Sequence, residues 1–170
     1  MQRLRVPGGF LLAGALAWAS APTSASLAAG LPVSIAGLAL RAWAAGHLAK
    51  NERLAISGPY ACVRNPLYLG TLGAAGGLIV ASRSVGLAAL FATVFVLVYL
   101  PAIQLEEERL RELFPDYDEY ARRVPALLPA WPRETSTVRF RIALYLKNQE
   151  YQALGGFVAG LLLLAWKAWR

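Results

Sequence analysis

"GPYACVRNPLYLG" (residues 58–70) decides how the rest of the chain is read, because it carries Arg64, Asn65 and Pro66 into the mouth of an apolar run that ends at residue 82. Proline suits the first turn of a helix, where its missing N–H has no intrahelical partner to lose. The run from 67 to 82 is only sixteen residues, about 24 Å of helix at ~1.5 Å per residue, against a hydrocarbon core of about 30 Å. Its length predicts a helix whose start lies below the headgroups, with the Arg-Asn-Pro loop dipping inward. Charged groups at that depth are costly unless they pair or bind something.

Four more apolar stretches flank this one, at residues 9–29, 31–48, 85–103 and 152–169. With 57% hydrophobic residues and a mean hydropathy of +0.45, the chain is more apolar than a soluble domain, where about 45–50% is usual. The expected fold is all-α: one integral membrane domain over residues 1–170, a polytopic bundle of about five transmembrane helices with a helical cap. The first stretch has a second reading, since "MQRLR", "GFLLAGALAWA" and "ASA" imitate a secretory signal peptide. The apolar run continuing to Leu31, before Pro32 breaks it, favours a retained helix.

Charge sets the expected orientation. Of the 17 Lys and Arg, thirteen fall on the side of the N-terminus, including Arg3, Arg5, Lys50, Arg53, Arg64 and eight between residues 104 and 150. Arg83, Lys167 and Arg170 fall on the other, and Arg41 lies within the second stretch. Positive charge collects on the cytoplasmic side of membrane proteins, so the N-terminus and residues 104–150 are expected in the cytoplasm. This also accounts for the basic balance without nucleic acid, for which no motif is present.

Within the third stretch, Gly70, Gly73, Gly76 and Gly77 would let a neighbouring helix backbone approach closely. In residues 104–150, Pro115 ends one helical piece at Phe114 and suits the first turn of another that runs to about Val124, before "VPALLPAWP" breaks the chain. Leu110, Leu113, Phe114, Tyr117, Tyr120 and Val124 recur at helical spacing and predict a shared apolar face. The stretch "TVRFRIALYLKNQEYQ" mixes Arg139, Arg141 and Lys147 with Val138, Ile142 and Tyr145, which suits a helix lying in an anionic headgroup layer.

Several chemistries lack their parts. One histidine, His47, and one cysteine, Cys62, cannot build a His/Cys zinc site or a disulfide within one chain, and no metal site is expected. His47 reads as structural and Cys62 as a packing residue. GxSxG, HExxH, GxxxxGK[ST] and GxGxxG are all missing. What remains is the hairpin formed by the third and fourth stretches around "SRS" (82–84), which returns residues 66 and 104 to one membrane level. Arg64 and Asn65 are thereby expected to meet Glu106, Glu107 and Glu108. Either these groups form a site, or Arg64 snorkels to phosphates, the glutamates face water, and Tyr60 and Tyr68 belong to an interfacial aromatic belt. Arg41 either serves the pocket or snorkels.

"SGPYACVRNPLYLG", followed about 35 residues later by "EEERLRELFPDYDEYARRVPALLP", resembles the isoprenylcysteine carboxyl methyltransferase family and, more loosely, the phospholipid N-methyltransferases. The resemblance covers roughly residues 41–131 as a methyltransferase-like core and leaves residues 133–170 as an interfacial helix and an extra transmembrane helix. It implies an S-adenosylmethionine-dependent enzyme without a Rossmann fold, its cofactor entering from the cytoplasm and its lipophilic small-molecule or lipid acceptor arriving from the bilayer. Carried over by position, the cofactor would meet Leu54, Ala55, Tyr60, Asn65, Pro66, Leu67, Tyr68 and Glu106, while Arg64, Glu106 and Glu107 would act in catalysis. Three positions depart from the family pattern: Asn65 stands for a histidine, Pro115 for a glycine, and Ala102 for an arginine that holds the acceptor in eukaryotic members. The resemblance implies an isoprenylcysteine-like carboxyl or thiol-linked acceptor, with a phospholipid amine as the alternative. A small membrane scaffold that kept the hairpin but lost catalysis is the non-enzyme reading.

Overall fold

The computed structural model describes residues 5–131 and 138–170, with side chains from Leu12 onward. Helices α1 (Arg5–Ala19), α2 (Ser24–Ala45), α3 (Pro66–Ser82), α4 (Val85–Leu113), α5 (Tyr117–Arg123), α6 (Ile142–Lys147) and α7 (Tyr151–Ala168) follow one another, with a 3₁₀ turn at Gly58–Ala61. Among the described residues there is no strand. Helices α2, α4 and α7 are long and apolar enough to cross a membrane; α1 and α3, at 15 and 17 residues, are shorter and pack alongside them. Trp18, Val85, Leu97 and Leu162 are exposed on the outside, an apolar exterior that suits lipid rather than water.

One end of the bundle collects the short turns. The Ala21 N–H donates to Ser82 O (2.9 Å), Ser26 Oγ to Ala81 O (2.8 Å) and Lys167 Nζ to Ala17 O (3.0 Å), so the α1–α2 turn, the α3–α4 turn and the end of α7 lie together. A small core of Leu16, Ala81, Leu87 and Leu164 sits beside them. The long loop 46–65, the end of α4, and α5 and α6 make up the opposite, cap end.

The first two helices are divided differently from the expected 9–29 and 31–48. The break lies at residues 20–23, and Pro32 sits inside α2. A capping box explains this: Thr23 Oγ1 accepts from the Ser26 N–H (3.2 Å) while Ser26 Oγ accepts from the Thr23 N–H (2.9 Å), satisfying two donors at the new helix start. Pro32 removes only one bond from the helix ladder, a loss that membrane helices tolerate. Arg3 and the first residues of "MQRLR" lie outside the described residues.

Helices α2 and α3 make the closest packing. A Cβ on Gly37 would run into the Ala74 amide, one on Gly77 would meet Ser34 Oγ, and Ser34 Oγ donates to Ala74 O at 2.8 Å. Gly70 and Gly73 face α2 as expected, but Gly76 looks into open space and takes no part.

Helix α4 does not stop where its apolar run stops. Gln104 to Leu113 continue it as a solvated extension, because no Gly or Pro interrupts these residues and most favour helix. Phe95–Tyr99 form a π-helical stretch, in which the Leu100 N–H bonds to Phe95 O; Pro101, lacking an N–H, follows directly. Leu113 points outward rather than joining the cap's apolar face. The interfacial helix is also shorter than expected, reduced to Ile142–Lys147, because Asn148 Nδ2 reaches back to Ala45 O and Leu48 O (3.0 Å each) and Gln149 takes a left-handed conformation. Arg133 and Pro132 fall outside the described residues.

Candidate active site

The Arg-Asn-Pro loop is held by its backbone. The Arg64 N–H donates to Pro125 O (2.8 Å), the Asn65 N–H to Ala126 O (3.2 Å), and the Ala130 N–H to Cys62 O (2.9 Å). The segment after α5 therefore lies along residues 62–65 and occupies donors at the start of α3 that have no helical partner. Tyr120 adds a bond from its hydroxyl to Tyr60 O (2.8 Å).

Side chains then close the hairpin mouth. Arg64 Nη1 lies 3.4 Å from Glu107 Oε2, Asn65 Nδ2 donates to Glu107 Oε1 at 2.8 Å and to Ala126 O at 3.2 Å, and the Tyr68 hydroxyl donates to Glu106 Oε2 at 2.7 Å. The two neighbouring glutamates thus serve different partners, and Glu108, which is exposed, joins neither. Arg64 Nε is buried without a hydrogen-bond partner among the described residues.

Between loop 46–65, α3, α4 and α5 lies a cavity of about 500 Å³. Leu54, Ala55, Tyr60, Asn65, Pro66, Leu67, Tyr68 and Glu106 all line it, and so does Arg64. Glu107 stands behind the wall, bonded to Arg64 and Asn65. Tyr117 and Tyr120 roof the cavity with Phe114 and Leu110, and Arg111 lies over the Tyr117 ring at 5.5 Å. Burial, reinforced by the Glu107 carboxylate, pushes the Tyr117 phenol up to about 12. Tyr60 and Tyr120 are likewise raised, by burial first and then by Glu106 and Tyr117 respectively, so all three remain neutral hydroxyls near neutral pH.

A second cavity of about 500 Å³ opens between α2, α3 and α7 and shares Leu48, Lys50, Leu67, Tyr68 and Glu106 with the first. Arg41 lies on its wall and turns inward instead of snorkelling. Its Nε and Nη2 donate to the two oxygens of Glu150 at 2.9 Å each, and Nη1 donates to Leu67 O at 3.2 Å and to Thr71 Oγ1. His47 is structural: it is buried, its Nδ1 lies 2.9 Å from Trp43 O, and its ring stands edge-on to Trp43 and Phe140.

The family described as phospholipid methyltransferase matches residues 27–117, the span that holds α2 but for its first three residues, α3, α4, Arg64, Glu106 and Glu107. The chain belongs to the phospholipid methyltransferase family. This family and the isoprenylcysteine carboxyl methyltransferases belong to one membrane methyltransferase superfamily. The chain is also similar to two curated proteins. It is 33% identical over 146 residues, 81% of this chain and 67% of the relative, to the nickel-cobalt-cadmium resistance protein NccN of Alcaligenes xylosoxydans xylosoxydans. It is 40% identical over 101 residues, 58% of this chain and 46% of the relative, to the cobalt-zinc-cadmium resistance protein CzcN of Cupriavidus metallidurans. No solved structure matches the chain. Among the described residues no group of three or more His, Cys, Asp or Glu is placed to hold a metal ion.

Sequence reasoning missed Lys50, Arg53 and Arg109, which line the first cavity, and Glu150, which answers Arg41. The matched span ends before Tyr120, Ala126 and Glu150, so part of the enclosure comes from outside it. Ala102, where the isoprenylcysteine enzymes' pattern has an arginine, lines the first cavity.

Proposed function

We propose that this protein transfers a methyl group from S-adenosylmethionine to a lipophilic acceptor at the membrane interface, in the manner of the isoprenylcysteine carboxyl methyltransferases. The observation that carries this reading is one cavity lined by Glu106, Arg64 and an apolar set that includes Leu54, Ala55 and Leu105. The donor set fits the cofactor: a carboxylate for its cationic groups, a guanidinium with an unpartnered buried Nε for its carboxylate, and apolar side chains for its adenine ring. When bound, the cofactor supplies a methyl group on a sulfonium centre.

In this reading the protein's task is alignment and exclusion of water, since proximity alone is worth up to ~7–11 kcal/mol in favourable cases. Glu106, fixed by the Tyr68 hydroxyl, holds positive charge at the cavity wall. Glu107 keeps Arg64 and Asn65 in place from behind. Tyr117, Tyr120 and Phe114 close the roof against water. A carboxyl acceptor needs no base. A phospholipid amine, the alternative acceptor, must first lose a proton, and Glu106 is then its acceptor. The excess of Lys and Arg on this side supports a cytoplasmic cap end.

Calorimetry with S-adenosylhomocysteine tests the reading. Wild-type protein is expected to bind it and E106Q to bind at least tenfold more weakly; no binding by wild type would leave the scaffold interpretation. Methyl-labelled cofactor supplied to membranes then separates the acceptors, because mild base releases label from a methyl ester and not from a methylamine.

A further inference from the structure

Among the described residues, three buried side-chain polar atoms lack a hydrogen-bond partner: Ser20 Oγ, Arg64 Nε and the Tyr117 hydroxyl. Ser20 lies in the α1–α2 turn, at the far end of the bundle. The other two belong to residues that line the first cavity. Such atoms are rare in folded proteins, because burial takes away the water they would otherwise bond and gives nothing in return.

The Tyr117 hydroxyl does nothing for the fold. Tyr117 is 1% exposed, and a phenylalanine would fill the same space and keep both ring contacts, with Arg111 at 5.5 Å and with Tyr120 edge-on at 6.0 Å. The charges of Glu107 and Arg64 both act on the phenol, yet Glu107 forms no hydrogen bond with it. That carboxylate instead accepts from Asn65 Nδ2 at 2.8 Å and faces Arg64 Nη1 at 3.4 Å. Two unused donors that stand by the same glutamate and line one cavity call for a shared acceptor. Arg64 Nε only donates, so that acceptor is an oxygen, and the wall's Lys50, Arg53, Arg64 and Arg109, set against Glu106, favour an anionic one. A carboxylate takes two donors on its two oxygens.

We propose that Tyr117 is a cofactor-binding residue: its hydroxyl and Arg64 Nε together receive the carboxylate of the cofactor's amino-acid end, so that this cavity selects ligands carrying that group. The inference rests on the methyl-transfer reading above and adds to it the ligand group that Tyr117 recognises. Arg111 and Tyr120 hold the ring before any ligand arrives, so little order has to be gained on binding.

Calorimetry on full-length protein in phosphatidylcholine nanodiscs tests this with two ligands, S-adenosylhomocysteine and its decarboxylated analogue, and two proteins, wild type and Y117F. Denaturant titration near neutral pH compares the same two proteins without ligand. Wild type is expected to prefer S-adenosylhomocysteine to the analogue by about a hundredfold, about tenfold for each charge-assisted bond. Y117F should bind S-adenosylhomocysteine about tenfold more weakly, keep only about a tenfold preference, through Arg64, and bind the analogue as wild type does. Its stability without ligand should equal or exceed that of wild type, since only an unpaired hydroxyl has gone. A phenol that serves the fold through Glu107 gives the opposite sign, so a less stable Y117F overturns the proposal. Equal weakening of both ligands also overturns it, because the hydroxyl would then meet another part of the cofactor. If wild type binds S-adenosylhomocysteine and Y117F binds it equally well, this inference alone fails; if wild type binds neither ligand, the methyl-transfer reading fails and takes the inference with it.

Discussion

Arg41 lies about one turn from the C-terminal end of α2 with its charge turned into the bundle, and Glu150 answers it from 109 residues away with two bonds of 2.9 Å. Removing one partner leaves the other's charge largely buried without its counter-ion. E150Q or R41L is therefore expected to lower stability by about 3–5 kcal/mol, and the double replacement R41L/E150L to recover much of that loss, as measured by denaturant titration in micelles. A snorkelling arginine would show no such coupling. Glu106 and Glu107 make a second case at this scale. Their convergence with Arg64 and Asn65 was legible, because two apolar runs around a three-residue turn must return to one level. Which glutamate meets which partner was not: neighbours on a helix point about 100° apart, and the π-helical stretch at Phe95–Tyr99 turns everything after it. The geometry predicts that E106Q lowers methyl transfer about a hundredfold or more, that Y68F, which frees Glu106 Oε2, lowers it less, and that E108Q changes nothing. An initial-rate assay of the three variants with methyl-labelled cofactor checks the order.

At the level of the helices, the α2–α3 contact is built on absent side chains. Gly37 and Gly77 bring backbone against backbone, and Ser34 spans the gap to Ala74 O at 2.8 Å. G37L drives a side chain into the Ala74 amide and is expected to cost about 1–3 kcal/mol or more. G76L, whose added atoms enter open space, should be within about 0.5 kcal/mol of wild type. Equal thermal midpoints for the two variants would show that the helices do not depend on this approach. The glycine cluster announced such a contact, but four glycines at this spacing span more than one helix face, and the partner's rotation decides which are used. The division of α1 from α2 was hidden for a similar reason. Pro32 is the louder signal in the sequence, while the Thr23–Ser26 capping box, which decides the break, consists of two small residues that also read as loop. The solvated extension of α4 escaped because hydropathy marks where lipid ends, not where the helix ends.

Taken as a whole, the molecule is a helical bundle closed at one end by short turns and at the other by a cap whose backbone and tyrosines grip the loop that starts α3. The apolar stretches made the bundle legible, and the resemblance made the cavity's lining legible, but the grip was not: Pro125 O and Ala126 O receive Arg64 and Asn65 through main-chain atoms that no side-chain pattern encodes. The cap also gives the bundle a pH dependence of known sign. Tyr60, Tyr117 and Tyr120 are buried, and each has its phenol raised by that burial. In an unfolded chain they ionise near pH 10; in the fold Tyr117 holds its proton to about 12 and the other two hold theirs at least as firmly. Above pH 10 the native state therefore binds more protons than the unfolded state, and stability falls as pH rises, by up to about 1.4 kcal/mol per pH unit for each phenol. Below pH 10 all three contribute fully. Denaturant titrations between pH 9 and 11.5 should show this steepening, and Y120F, although less stable at pH 9 for want of its bond to Tyr60 O, should show a shallower fall than wild type. A fall of identical slope in the two proteins would mean that the Tyr120 phenol is open to water, and with it the roof of the cavity.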